Sequence, residues 1–316
     1  MSLNHGYQAT GTNDGAKQVS VTRWNDAHAI DSDGLDFPAG ITTPAAPAAD
    51  TIRVFGREIA NRAILAQVGP SGLSTPLQPL LGRNRVKQYQ AVGNATTVPG
   101  AFGGSALSGT GTATASTVAV TNVYTRTRLL EYLVTTAATT AVAGFREAAA
   151  QHWLSSTAGL GGFFFVCRFG QATGVTTGTR RCFAGMSSSV AAPTDVQPSS
   201  QTNICGVGYD AADTNFWVMH NDGTGTATRI DTGIARPTAD RTSMYELAMF
   251  APPGGGQVVH VQLTNLATAA QFNVSISSVD LPAVGTMLAA RGYASVGGTS
   301  SVIGFAFGQL YLETDD

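Results

Sequence analysis

Charged residues are scarce in this sequence. Asp, Glu, Lys and Arg make up 12% of its 316 residues, and the net charge is −2. This share is about half of that in an average soluble protein. Without an excess of basic residues the chain lacks the electrostatic surface that nucleic-acid binding requires, so we expect no nucleic-acid partner. A low charge density also makes surfaces less costly to desolvate, which favours packing against other protein subunits.

Cysteines and long apolar runs are scarce as well. The three cysteines, Cys167, Cys182 and Cys205, have no CxxC spacing, which argues against a disulfide framework or a zinc site. We expect three buried, reduced thiols. No run approaches the roughly 20 apolar residues of a membrane span, so we expect no membrane insertion. The N-terminus has no signal-peptide pattern, and we expect synthesis in a bacterial cytoplasm.

Motifs that carry catalysis are missing. The sequence has no GxSxG, HExxH or P-loop pattern, and its five histidines are scattered along the chain. We therefore expect no enzymatic activity, no cofactor and no metal. A calcium site stays open as an alternative, because residues with oxygen ligands cluster around one hairpin: Asp210, Asp213, Asn221 and Asp222. Turns favour the same residue types, so turn formation alone would also explain this cluster. A pair of catalytic carboxyl groups, as in a glycosidase, is a further alternative. The sequence does not single out two of the four candidates, which are Asp195, Asp210, Asp213 and Asp231.

Small and β-branched residues are abundant instead. The sequence has 37 glycines and many Thr, Ser and Ala residues. After residue 112, about ten β-branched or aromatic runs alternate with turn signals. The run Phe163-Phe164-Phe165 indicates a core strand, and Asn221-Asp222-Gly223 predicts a hairpin turn. In this part of the chain only residues 145–154 suggest a short helix, and before it residues 57–67 allow a helix as a weaker alternative to a hairpin. The pattern predicts an all-β chain with a C-terminal jelly-roll-type β-sandwich.

Composition divides the chain into four parts. Residues 1–50 are rich in Gly, Thr, Ala and Pro and predict an extended arm. Trp24 and His28 would anchor this arm to a larger assembly, to its own domain or to a sister chain. Residues 51–92 predict a small β-hairpin unit, too small to be stable without neighbours, which other copies in an oligomer would supply. Residues 93–111 indicate a linker. Residues 112–316 form the predicted sandwich.

A sugar-binding site needs aromatic faces with polar groups at their rim. The candidates on the predicted strands and loops are Trp153, Tyr209, Trp217, His220, Asp222 and Tyr293. Trp217 stands between Phe216 and Val218, so the pattern does not decide which way its side chain points. The large area of an indole favours the core for this residue.

Two parts of the sequence resemble bacteriophage tail-fibre and receptor-binding proteins. The N-terminal resemblance lies in residues 18–28, 53–72 and 77–79. The second is similar to the jelly-roll, lectin-like heads of such fibres and lies in residues 161–165, 181–186, 203–210 and 217–225. The resemblance implies a homotrimer whose N-terminal arm attaches to baseplate or tail proteins of the virion. It also implies a C-terminal domain that binds a host surface glycan or another receptor.

These observations lead to three functional hypotheses. The first is a trimeric tail fibre, a structural protein of the virion, that attaches to the host through its sandwich. No fixed-period repeat marks a long shaft, so a compact fibre, a baseplate-bound receptor-binding protein or a head fibre would each fit. The second is a baseplate or head adaptor or decoration protein without receptor binding. The third is a glycan depolymerase, which rests on fold analogy alone.

Overall fold

The computed structural model describes residues 39–40, 42–48, 51–70, 72, 74–76, 84–96, 100–101 and 107–315. These residues belong to one compact unit, Ala39–Asp316. Most of the predicted arm lies outside the described residues, and so do Trp24 and His28, the two predicted anchors.

About half of the described residues are in strands, and almost none are helical. The strands are β1 (Ala39–Gly40), β2 (Arg53–Ile59), β3 (Arg62–Val68), β4 (Ser74–Pro76), β5 (Asn84–Gln90), β6 (Gly100–Ala101), β7 (Leu107–Thr110), β8 (Thr112–Ala115), β9 (Leu130–Ala138), β10 (Val142–Glu147), β11 (Gly161–Thr173), β12 (Arg181–Ser187), β13 (Ile204–Tyr209), β14 (Asn215–Asn221), β15 (Thr228–Ala235), β16 (Met244–Ala251), β17 (Val258–Asn265), β18 (Gln271–Ser277), β19 (Ala289–Ser295) and β20 (Ser301–Asp315). The helical pieces are a single turn, α1 (Val123–Arg126), and a 3₁₀ turn at Pro198–Ser200. Among the described residues no helix has the length and apolar character needed to cross a bilayer.

Two large sheets form a sandwich. One has seven strands in the order β15-β14-β13-β12-β19-β10-β7. The other has nine, in the order β18-β17-β16-β11-β20-β5-β6, with β9 also paired to β20 and β8 paired to β9. The chain crosses between the sheets repeatedly, for example from β10 to β11 and again from β11 to β12, as it does in a jelly roll. The predicted all-β class and sandwich are confirmed.

The core lies between these two sheets. On β11, Phe163 and Phe165 point into it, whereas Phe164 lies on the other face of the nine-stranded sheet. The predicted core strand is therefore confirmed, with its three aromatic rings divided between the two faces by the alternation of a strand. Cys167, Cys182 and Cys205 are buried free thiols in the same core. Burial raises the pKa of Cys205 to about 12, and it raises the pKa of the other two further.

The helix predicted at residues 145–154 is wrong. Residues up to Glu147 continue strand β10, because Phe145 packs between the two sheets against Phe305 and Phe307. The one-turn helix α1 was not predicted. Its start is stabilised by a capping box, in which the Asn122 side chain accepts from Thr125 N at 2.9 Å and Thr125 Oγ1 accepts from Asn122 N at 3.1 Å.

The predicted hairpin is present as β2 and β3. Ala60 and Asn61 form its turn with φ of 49° and 56°, the positive values that a two-residue hairpin turn requires. The tip packs onto the nine-stranded sheet of its own chain, where Ala60 N donates to Gln262 Oε1 at 3.1 Å. Arg62 forms a bidentate ion pair with Glu313, at 2.8 and 2.6 Å. Its guanidinium lies 4.5 Å from the centre of the Phe164 ring. The neighbours that the hairpin needs thus come from the sandwich.

Residues assigned by composition to the hairpin unit and the linker also contribute to the sandwich. Strand β5 pairs with β20, and β7 pairs with β10. The side chain of Lys87 on β5 is 7% exposed and donates to Glu147 Oε1 at 2.9 Å. Glu147 also lies 3.4 Å from His152 Nε2 and accepts from Ala290 N at 2.8 Å. This buried ionic cluster ties β5 to the seven-stranded sheet.

The Lys87–Glu147 pair predicts a specific pattern of stabilities. Glu147→Met leaves the buried ammonium group without a carboxylate, and we expect the free energy of unfolding to fall by about 3–5 kcal/mol. Changing both Lys87 and Glu147 to Met removes both charges, and we expect most of that loss to disappear. Urea unfolding followed by circular dichroism measures both variants. Equal losses in the single and double variants would contradict the pairing.

Candidate functional site

The seven-stranded sheet has an inner face toward the core and an outer face away from it. On β14, Phe216 and Val218 point inward, so Trp217 and Met219 point outward. On β19, Ala290 and Ala294 point inward, which places Arg291 and Tyr293 on the outer face. We use the name outer face for this surface of the seven-stranded sheet.

A small second core covers the centre of the outer face. Its buried members are Val142, Phe183, Ile204, Met219, Ala227 and Tyr293. The segment 188–203 is bonded to this region, with Ser188 N donating to Asn203 O at 3.0 Å and Ala227 N donating to Ser199 O at 2.7 Å. Gln201 Nε2 donates to the Tyr293 hydroxyl. Tyr293 is consequently buried, and its ring is not available as a surface for a sugar.

Trp217 lies at the border of this second core. Its side chain is half-buried and packs partly against the second core. The guanidinium of Arg229, from the neighbouring strand β15, lies 4.4 Å from the centre of the indole ring. The large area of an indole favoured a core position for Trp217, while the sequence pattern left its direction undecided. The structure places its side chain on the outer face, because Phe216 and Val218 point into the main core and side chains alternate along a strand.

Two carboxylates hold Arg229 in place. Asp213 Oδ2 accepts from Arg229 Nη2, and Asp210 Oδ2 lies 3.5 Å from Arg229 Nη1. Asp213 Oδ2 also accepts from Asp210 N at 2.7 Å, and Asp210 accepts from Ser199 Oγ at 2.6 Å. An indole ring, a positioned guanidinium over it and two carboxylates thus converge. We call this group, formed by Trp217, Arg229, Asp210 and Asp213, the Trp217–Arg229 site.

Tyr209 and His220, two of the predicted ligand-binding residues, point into the sandwich. Tyr209 is fully buried, donates to Gln171 Oε1 at 2.8 Å, and has its pKa raised far above the usual range, chiefly by burial. His220 is 2% exposed, and its Nδ1 lies 3.3 Å from the Asp280 carbonyl. Both side chains lie on the same face of their strands as neighbouring core residues, so neither can contact a ligand on the outer face. Their assignment to a surface site is corrected.

Trp153 and Asp222 are more exposed but differently placed. Trp153 lies beside Gly161 at the start of β11, and its carbonyl accepts from Gly162 N at 2.9 Å. Phe169, further along β11, contacts Phe216 next to Trp217. Eight residue steps lead along β11 from Gly161 to Phe169, up to about 26 Å in an extended strand. The two tryptophans therefore lie at different ends of the sandwich.

Asp222 lies on the loop that joins β14 and β15, which confirms the hairpin predicted at Asn221-Asp222-Gly223. Its carboxylate accepts from Thr224 N at 3.0 Å and Thr224 Oγ1 at 2.9 Å. These hydrogen bonds lower the pKa of Asp222. This is the local bonding that Asx turns use, so the structure assigns Asp222 a role in the turn.

The other acidic candidates are also engaged. Asp195 accepts from Arg181 Nη1 at 3.0 Å and from the backbone N–H groups of Gly297 and Gly298, both at 2.8 Å. Asp231 accepts from Asn215 Nδ2 at 3.1 Å and Gly233 N at 2.9 Å. In the described part of the chain, no group of three or more His, Cys, Asp or Glu side chains is arranged to hold a metal ion.

Sequence analysis did not identify the arginines of the outer face. Arg229 forms the cover of Trp217, and Arg146 and Arg291 lie further across the same sheet, opposite each other on β10 and β19. The Asn221-Asp222-Gly223 turn signal could have suggested that β15 folds back beside β14. The pairing of β10 with β19, which lie almost 150 residues apart, left no comparable local signal.

Comparisons with known proteins return structural similarity only. No protein-family model and no curated protein matches the sequence. A protein of unknown function from Shewanella oneidensis MR-1 has a TM-score of 0.49 at 11% identity, covering 76% of this chain and 90% of that one. Lectin II from Ulex europaeus has a TM-score of 0.43 at 12% identity, covering 73% and 98%. A carbohydrate esterase from the Shiga toxin-encoding bacteriophage phi24B has a TM-score of 0.38 at 13% identity, covering 66% and 90%. Similarity of this size assigns no ligand to this chain.

Proposed function

We propose that this chain is a virion protein of the tail-fibre type that binds a host surface glycan through the Trp217–Arg229 site. The observation that carries the proposal is the half-buried Trp217 with Arg229 fixed beside its ring. The part of the indole that Arg229 leaves uncovered offers an apolar surface to the C–H groups of a sugar, and rigidly held charged groups can bind its hydroxyls. Asp210 and Asp213 provide the acceptors, and Arg229 the donor.

The assignment to a virion rests on the sequence. The arm rich in Gly, Thr, Ala and Pro, the low charge, and the resemblance of residues 18–28 and 53–72 to tail fibres support it. We propose that the protein is a homotrimer that attaches to tail or baseplate proteins through the arm. Three weak sites on one particle component bind a cell surface far more strongly than one site, since the second and third contacts form at high effective concentration.

The two tryptophans at different ends of the sandwich give a matched test of the proposed site. We expect Trp217→Ala to weaken binding to host cells and to an array of their surface glycans by about tenfold or more, because an aromatic anchor is lost. Trp153→Ala removes a tryptophan of similar burial away from the site, and we expect it to bind like the unaltered protein. Binding by flow cytometry and on the glycan array measures both.

Two results would count against this proposal. Equal binding by the two tryptophan variants would move the glycan site elsewhere on the chain. If the unaltered protein, with its oligomeric state preserved, bound neither host cells nor their glycans, receptor binding would be wrong. The hypothesis of an adaptor or decoration protein would then take its place.

The proposed homotrimer predicts a mass in solution. Light scattering on the purified full-length chain should give a value near three times 32.5 kDa. We expect the trimer to persist in high salt, because few charged residues are available for an ionic interface. A stable monomer at micromolar concentration would contradict the tail-fibre assignment, whatever the glycan array showed.

We propose binding without cleavage. A glycosidase needs one carboxyl group free to donate a proton and a second free to attack or to activate water. Asp210 and Asp213 are both ion-paired with Arg229, and Asp195 and Asp231 accept from other donors. We expect host capsule or lipopolysaccharide to keep its chain length after prolonged incubation, as measured by size-exclusion chromatography. A fall in chain length would establish a depolymerase.

A further inference from the structure

Two arginines face each other on the outer face at some distance from Trp217. Arg146 on β10 and Arg291 on β19 are direct partners in the antiparallel register. Side chains at such positions start about 5 Å apart, and like charges directly opposite each other destabilise a sheet. A pair of this kind needs an anion nearby to offset the repulsion.

No residue that the structure describes supplies such an anion. Neither arginine forms an ion pair with any residue that the structure describes. Arg291 is 3% exposed, and its Nη1 lies 3.5 Å from Ser187 Oγ, while its Nε is buried without a hydrogen-bond partner. Arg146 donates to two neutral acceptors, Val190 O at 2.8 Å and Thr110 Oγ1 at 3.2 Å.

The other buried cationic side chains of the described residues have carboxylate or carbonyl partners. Lys87 is paired with Glu147, and Arg180 donates to the carbonyls of Thr177 and Pro237. Arg180 also has a buried Nε without a partner. Arg291 alone among these three has neither a carboxylate nor a carbonyl as partner, and its guanidinium lies 5.4 Å from the centre of the Tyr293 ring. Burial lowers its pKa, and the charge of Arg146 acts in the same direction, against an opposing contribution from Tyr293. A buried charge left this way is costly, so it marks a place where a partner from outside binds.

We infer that Arg146 and Arg291 bind an oxyanion carried by the glycan, that is, a carboxylate, sulfate or phosphate group. A guanidinium fork matches the two oxygens of such groups, and two forks on adjacent strands clamp a single anion. Arg146 is half-buried, and Val190, whose carbonyl accepts from its Nε, belongs to an exposed segment of the chain, so the Arg146 end of the pair can be reached from solvent. Gly185, opposite Arg291 on β12, adds no side chain there. The inference rests on the proposed function and narrows it to acidic glycans.

The first experiment uses the full-length protein with three polymers: polygalacturonate, dextran sulfate and neutral dextran. We expect the unaltered protein to bind at least one of the two acidic polymers more tightly than neutral dextran. Arg291→Met should weaken that binding about tenfold, and Arg146→Gln by a smaller factor, since charge-assisted hydrogen bonds are lost. Arg128→Gln, at an exposed arginine away from the pair, controls for a general effect of charge. A loss of binding to polygalacturonate in the arginine variants would indicate a site for carboxylates, and a loss of binding to dextran sulfate would indicate a site for sulfates.

The second experiment needs no glycan. Inorganic sulfate and phosphate, compared with chloride at equal ionic strength, should raise the Tm of the unaltered protein and of Arg128→Gln more than that of Arg291→Met. In chloride we expect Arg291→Met to be at least as stable as the unaltered protein, because an unpaired buried charge has been removed. If that variant does not fold, Arg291→Lys and Arg146→Gln take its place, because each removes one fork.

The outcomes separate the inference from the proposed function. Equal polymer affinities and equal anion-dependent shifts in Tm for the unaltered protein and the Arg291 and Arg146 variants would overturn the inference. If polymer binding then still depended on Trp217, the proposed function would stand without it. If instead the anion-dependent shift were lost in Arg291→Met while the unaltered protein bound no host glycan, the oxyanion site would stand and the proposed function would fail.

Discussion

The packing of aromatic rings between the two large sheets is the constraint on which the rest of this structure depends. Phe145 from the seven-stranded sheet contacts Phe307 of the nine-stranded sheet, with 4.7 Å between ring centres. Phe216 likewise contacts Tyr245 at 4.6 Å and Phe169 at 5.9 Å. These contacts join the sheets and fix which residues of each strand point inward. Since side chains alternate along a strand, they also fix what lies on the outer face.

The site follows from that alternation. Once Phe216 and Val218 are inside, Trp217 must point outward and meet Arg229. Once Ala290 and Ala294 are inside, Arg291 must point outward, where the register brings it opposite Arg146. The same alternation buries Tyr209 and His220, because their side chains lie on the same face of their strands as the core residues.

Two buried ion pairs attach N-terminal strands to the sandwich. Lys87 and Glu147 attach β5 to the seven-stranded sheet, and Arg62 and Glu313 attach the N-terminal hairpin to the nine-stranded one. Both pairs join segments that are far apart in sequence. They explain why regions that composition assigned to a separate unit and a linker became part of the sandwich. Ion pairs over such separations leave no pattern in the sequence, so these attachments were not predictable.

What the sequence by itself determined is the local character of the chain: strands from alternation and β-branched runs, the turns at Asn221-Asp222-Gly223, buried thiols, and the absence of long helices. These features depend on residues close together in sequence, and the structure agrees with them. Only the tertiary structure decided which face of each strand became the surface and which strands became neighbours. Where three apolar residues follow one another, as at Phe216-Trp217-Val218, strand periodicity is satisfied by either direction. The choice is made by burial against partners from distant parts of the chain.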